Sequence, residues 1–224
     1  TRDGSGYNNA NFATPPDGQR PRMRMYLWDW SVPMKDGDLD SGIIVHEYGH
    51  GISTRLTGGP ANSNCLVNGQ PGGMGEGWGD FWATMFIQRK EYGPGDAFPM
   101  GSYAAGRGIR AFPYSADFKI DPQTFGYLNQ AGYNLSTNVH AKGSVWCTIL
   151  IDVYWNLVTK HGFDPDWYAG SGGNNALFRN VVDGLKLQPC SPTFADARDA
   201  IILADVHNYK GRHVCDMWES FARR

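Results

Sequence analysis

Apolar residues recur along the chain with two different periods. Over residues 22–28, Met23, Met25 and Leu27 alternate with Arg24 and Tyr26, the period-two signature of a strand. Residues 1–21 are rich in Gly, Asn and Pro and read as an extended loop. From residue 41 the period lengthens to that of a helix, capped by Asp40 or Ser41, with Ile44, Val45, Tyr48 and Ile52 expected on its core side. Further helices are expected near residues 76–92, 139–160, 174–187 and 192–208. Residues 93–138 form a long irregular stretch, and loops of that length in compact domains tend to be functional. The pattern predicts a mainly α chain, α+β overall. Residues 1–41 form the end of a β-containing region and a loop, and residues 42–224 a mainly helical lobe.

The first helix carries a second message on its other side. His46-Glu47-Tyr48-Gly49-His50 places two imidazoles at i and i+4, one above the other on a single face, so both can reach one metal ion. Glu47 points to the flank of that pair, where a metal-bound water would sit and a carboxylate could take its proton. Gly49 and Gly51 each cost about 1 kcal/mol relative to Ala in a helix interior, so crowding rather than propensity must justify a helix here. Catalytic zinc takes three protein ligands and leaves a fourth position open. A histidine six residues after the second would be one third ligand, but that place is Leu56. The alternative is a glutamate on a second helix, and Glu76 in GEGWGDFWATMFI is the candidate. Asp80, one turn later on the same face, would receive the spare N–H of a zinc-bound histidine.

Composition narrows the partners. A 224-residue chain, 41% hydrophobic and 13% aromatic, can bury one or two compact cores. A net charge of −2, with charges mixed along the chain, gives no sign of nucleic-acid or membrane binding, and a monomer is expected. Asp36, Asp38 and Asp40 imitate the start of an EF-hand with Glu47 in twelfth place, but the sixth place is Ser41 rather than glycine. Glu47 also cannot both bind calcium and face zinc. A helix-capping loop is preferred, with a non-EF calcium site on one or two of these aspartates left open.

DSGIIVHEYGHGISTRLTGG over residues 40–59, then PANSNCL and GGMGEGWGDFWA, resembles the fungalysin family of secreted zinc metalloendopeptidases, as do the opening DGSGYNNANFATPPDG and MRMYLWD. The resemblance covers nearly the whole chain. It implies a thermolysin-like fold in which His46, His50 and Glu76 bind zinc, Glu47 is the general base, and protein or peptide chains are the substrates. A more distant similarity to thermolysin-type enzymes implies that His140 in VHAKG steadies the oxyanion, and that Ile109-Arg110 borders the primed-side pocket, with Arg110 holding a substrate carbonyl. A pocket lined by Ile43 and Ile109 would favour an apolar residue just after the cut bond. The tyrosine such enzymes place nine residues before the zinc glutamate is Val67 here, so an oxyanion tyrosine must come from elsewhere, with Tyr103, Tyr114 and Tyr127 as candidates.

The resemblance further implies secretion, a zymogen with an inhibitory propeptide, and an N-terminal β-rich lobe. With 45 residues before His46, the chain reads as a fragment lacking most of that lobe and the substrate-aligning edge strand. The rival reading follows: a zinc-binding but catalytically incomplete piece that binds only inhibitors or propeptide. An extracellular setting favours disulfides, and among Cys65, Cys147, Cys190 and Cys215 the expected pair is Cys190 with Cys215, with Cys147 a buried free thiol. Asn134-Leu135-Ser136 is a glycosylation sequon, and His161, His207 and His213 read as surface or helix-end residues.

Overall fold

The computed structural model describes residues 6–133 and 138–224. In chain order its elements are β1 (Ala10–Ala13), β2 (Arg22–Met25), β3 (Leu27–Trp28), β4 (Lys35–Asp36), α1 (Ser41–Leu56), α2 (Gly69–Phe86), the single turn α3 (Ser102–Ala105), α4 (Val139–His161), α5 (Gly173–Leu187), α6 (Phe194–Tyr209) and α7 (Val214–Arg223). The expected mainly α class is observed. The sequon at Asn134 lies outside the described residues.

α4 buries every side of its middle turns and so lies at the centre of the fold. Its residues 142–155 are buried without interruption; Asn138 caps its start by accepting from the Ala141 N–H, and Gly162 ends it. α2 and α7 pack against it, α1 packs on α2, and α5 and α6 pair with each other, α5 also touching α4. The core between them holds Trp78, Phe81, Trp146, Leu150, Tyr154 and Leu177, each side chain contributing roughly 1.5–3 kcal/mol by leaving water. The Trp78 and Trp146 rings meet edge to face, centroids 5.1 Å apart.

α2 begins at Gly69 and stops at Phe86, whereas periodicity placed it over 76–92. Its first two turns are rich in glycine, a weak helix former, and tertiary packing holds them instead. A Cβ on Gly77 would stand 2.6 Å from the Gly143 carbonyl oxygen of α4, and one on Gly79 would stand 2.7 Å from His46 Nδ1 of α1. The glycines let both neighbours reach the α2 backbone.

Several expectations fail where the partner is remote in sequence. Residues 10–13 are a strand, not loop, because β1 pairs antiparallel with β2, Ala10 opposite Met25 and Ala13 opposite Arg22. The strand expected over 22–28 splits at Tyr26 between that sheet and the β3–β4 pair. α1 buries a different set from the expected core side, of which Val45 packs partly against the main core. Ile43, His46, Glu47, Gly49 and Ser53 are the buried positions, His46 and Gly49 against Gly79 of α2 and Ile43 against Trp28, Ala104 and Ala105, while Tyr48 is 60% exposed. Ile44, Val45, Tyr48 and Ile52 instead line an open apolar groove with Met23, Trp82 and Phe86.

The disulfide joins Cys65 to Cys190, not Cys190 to Cys215; Cys215 is an exposed thiol and Cys147 a buried one. The α5–α6 connection folds onto the segment after α1, where the Ser191 N–H donates to the Cys65 carbonyl and Gln188 Nε2 to Thr57 Oγ1. α7 is held elsewhere, with Lys160 of α4 on Asp216 and Glu219. His213 is a helix-end residue, at the start of α7, and is buried there with Nδ1 on Asp205.

Candidate metal centre and active site

Asp40 fixes the start of α1 with both carboxylate oxygens: Oδ1 accepts from the Gly42 and Ile43 N–H groups, and Oδ2 from the Ala104 N–H at 3.0 Å. Asp36 caps the short turn before it by accepting from the Asp38 N–H. The i, i+4 spacing then stacks the His46 and His50 rings with centroids 4.8 Å apart, nearly perpendicular. Ligand atoms of His46, Glu47 and His50 lie within 4.8 Å of one another. α2 crosses this face and brings Glu76 Oε2 to 3.2 Å from His46 Nε2 and 3.8 Å from His50 Nε2. Tetrahedral zinc, with ligands at about 2.0–2.1 Å, would separate ligand atoms by roughly 3.3 Å, so these spacings fit that ion. Glu47 Oε2 is buried without a hydrogen-bond donor among the described residues, as suits an oxygen facing a metal-bound water. Two imidazoles with a carboxylate are also the donor set zinc accepts.

Behind His46, Asp80 is wholly buried and its carboxylate is saturated. Oδ1 accepts from His46 Nδ1 at 2.7 Å and Arg110 Nη2 at 2.9 Å; Oδ2 accepts from Arg110 Nε at 2.7 Å and from the Tyr114 hydroxyl. With Nδ1 on Asp80, the His46 ring turns Nε2 toward Glu76. His140, at the start of α4, stands across the site with Nε2 3.3 Å from Glu76 Oε2 and its side chain 57% exposed.

The protein's own charges set the protonation pattern. Burial raises Glu47 to about 7, an effect moderated by His46 and Arg110. Burial and the neighbouring His46 charge lower His50 to about 4. Burial opposes ionisation of Glu76, yet its bond to His46 and the nearby His50 and His140 hold it at about 2. Burial also opposes the His46 cation, but Asp80 and Glu76 raise that group to about 10. Asp80 stays far below the usual carboxylate range despite burial, because Arg110 and His46 face it. Burial lowers His140.

These groups open onto a cleft of about 650 Å³ whose wall also contains Ile43, Ile109, Met100, Leu66, Val67 and Trp28. Sequence reading anticipated His46, Glu47, His50, Glu76, Asp80, Arg110, His140, Ile43 and Ile109, and the fold brings all nine together. It did not anticipate β1, whose residues 10–12, with Asn8 and Asn9, line the same cleft. The alternation of Ala10 and Phe12 with Asn9 and Asn11 was the available signal. None of the three tyrosine candidates lines the cleft. Tyr114 is buried on Asp80, Tyr127 packs on Tyr133, and Tyr103 lies under the Lys35 ammonium.

The family described as Fungalysin metallopeptidase (M36) matches residues 1–224. Extracellular metalloproteinase 4 of Arthroderma otae is 49% identical over 234 residues, covering 100% of this chain and 35% of that protein. Extracellular metalloproteinase MEP of Neosartorya fischeri is 50% identical over 235 residues (100% and 36%), and that of Pyricularia oryzae 48% over 233 (100% and 36%). The chain therefore spans about a third of the length of the curated relatives it matches.

Proposed function

The chain belongs to the fungalysin metallopeptidase family, and on that premise we propose that it forms the zinc-binding part of a secreted endopeptidase that hydrolyses protein chains. The observation that carries this reading is the convergence of His46, His50 and Glu76 beside a buried carboxylate, Glu47, that has an oxygen without a donor. A zinc ion on those three ligands would polarise the scissile carbonyl and acidify a water. Glu47, a buried carboxylate on the flank of the histidine pair, would accept a proton from the attacking water and return it to the leaving amine. His140 reaches in from the opposite wall to donate to the developing oxyanion. Arg110 commits Nε and Nη2 to Asp80, leaving Nη1 for a substrate carbonyl. Ile43 and Ile109 offer an apolar seat for the residue after the cut bond, and β1 lies where an extended peptide would run. The Cys65–Cys190 bridge accords with secretion, and a propeptide and an N-terminal lobe are the proposed partners within the longer protein.

The test is cleavage of a quenched fluorescent protein substrate by the zinc-loaded chain, beside Glu47→Gln. Stoichiometric zinc in both, with turnover only in the first, is expected. A second reading, a metal-binding piece that is catalytically incomplete alone, is favoured by the chain's spanning a third of its relatives' length. Zinc in both proteins and turnover in neither would establish it.

A further inference from the structure

We propose that Tyr114 is a positioning residue for the metal centre, acting through Asp80 on His46; this rests on the zinc reading above. An arginine fork fixes a carboxylate within the shared plane, but it restrains tilting out of that plane less, and such tilting would move Oδ1 relative to the imidazole. The Tyr114 hydroxyl lands on Oδ2, the oxygen that does not serve His46. It therefore closes the set: Arg110 bridges both oxygens, Tyr114 pins Oδ2, and Oδ1 is held at 2.7 Å from His46 Nδ1. Orientation of a ligating imidazole through its other nitrogen is what such outer partners supply.

The tyrosine is itself immobile. It is wholly buried, its backbone N–H donates to the Phe98 carbonyl, and its carbonyl accepts the Phe98 N–H, both at 3.0 Å. The next carbonyl, that of Ser115, is held by Arg224 Nη2 at 3.2 Å; the same guanidinium also holds the Asp121 and Gln123 carbonyls and Asp152. Residues 114–123 are thus pinned to α4 and the end of α7, and through one hydroxyl they reach Asp80 and with it His46 on α1. Arg110 and Tyr114 both come from the long segment before α4, so its placement sets two of the three side chains on Asp80.

A hydroxyl that merely satisfied itself would affect zinc-free and zinc-loaded protein alike and leave zinc affinity unchanged. Tyr114→Phe keeps the ring and removes only the donor. A roughly 10- to 100-fold weaker zinc dissociation constant by chelator competition is expected, the range seen when an outer-shell partner of a metal ligand is lost. Little further change is expected when Tyr114→Phe is added to Asp80→Asn, because both would act on one path. Replacement of Tyr114 by 3-fluorotyrosine, which keeps the hydroxyl, should retain wild-type affinity. Unchanged affinity in Tyr114→Phe, additive effects with Asp80→Asn, or loss with fluorotyrosine equal to that with Phe would each overturn the proposal. A wild-type protein that bound no zinc would instead overturn the metal reading beneath it.

Discussion

Glu47→Gln should stabilise the metal-free protein, and the stabilisation should depend on pH with a definite sign. Glu47 is 5% exposed, and burial raises it from 4.5 to about 7. A group whose folded pKa lies above its unfolded value favours the fold below the unfolded pKa, and that favour is lost as pH rises through the folded one. The ionised carboxylate is therefore a burden on the native state at neutral and alkaline pH. At 1.36 kcal/mol per pH unit, the rise corresponds to about 3 kcal/mol, an upper figure because the glutamine amide is also polar. Urea unfolding of chelator-treated wild type and Glu47→Gln, followed by circular dichroism at pH 5 and pH 8.5, separates the cases. The variant should unfold at higher urea at pH 8.5, with most of the gain gone by pH 5. An equal gain at both pH values, or a loss at pH 8.5, would refute the reasoning.

Two further outcomes follow from packing. Gly79→Ala should weaken zinc binding and lower stability, although alanine favours a helix by about 1 kcal/mol, since its Cβ would stand 2.7 Å from His46 Nδ1; a higher unfolding midpoint with unchanged zinc titration would show that α1 and α2 can part freely. Replacing Cys65 and Cys190 together by serine should cost about 2–5 kcal/mol, because the bridge closes a loop with a sequence separation of 125, and an unchanged denaturation midpoint would contradict this.

The metal centre was legible because its logic is local. His46 and His50 share a face by helical spacing alone, and Glu76 and Asp80 repeat that relation on α2. What escaped reading depends on partners far along the chain. Residues 10–13 became a strand only through pairing with β2. Residues 44, 45, 48 and 52 have the spacing of a core face, yet spacing cannot say which side of a helix a neighbour will cover, and α2 covers the side with the histidines. Cys65 found Cys190 because the α5–α6 connection folds back on it, which no periodicity announces. Tyr114 was one of three equal tyrosine candidates for the oxyanion, and its buried hydroxyl lies on Asp80 instead, a placement that sequence spacing does not announce.

For anyone seeking a sturdier version of this protein, α2 inverts the usual recipe. Replacing helical glycines with alanine is an ordinary route to stability. Here Gly73 meets the Lys142 Cβ, Gly77 the Gly143 carbonyl and Gly79 the His46 ring, each within 2.7 Å of an added Cβ. At these three positions the helix that invites such engineering most will not tolerate it, and open ground lies in the connection beyond it, at Gly93 and Gly95, where an added methyl would meet nothing within 4 Å.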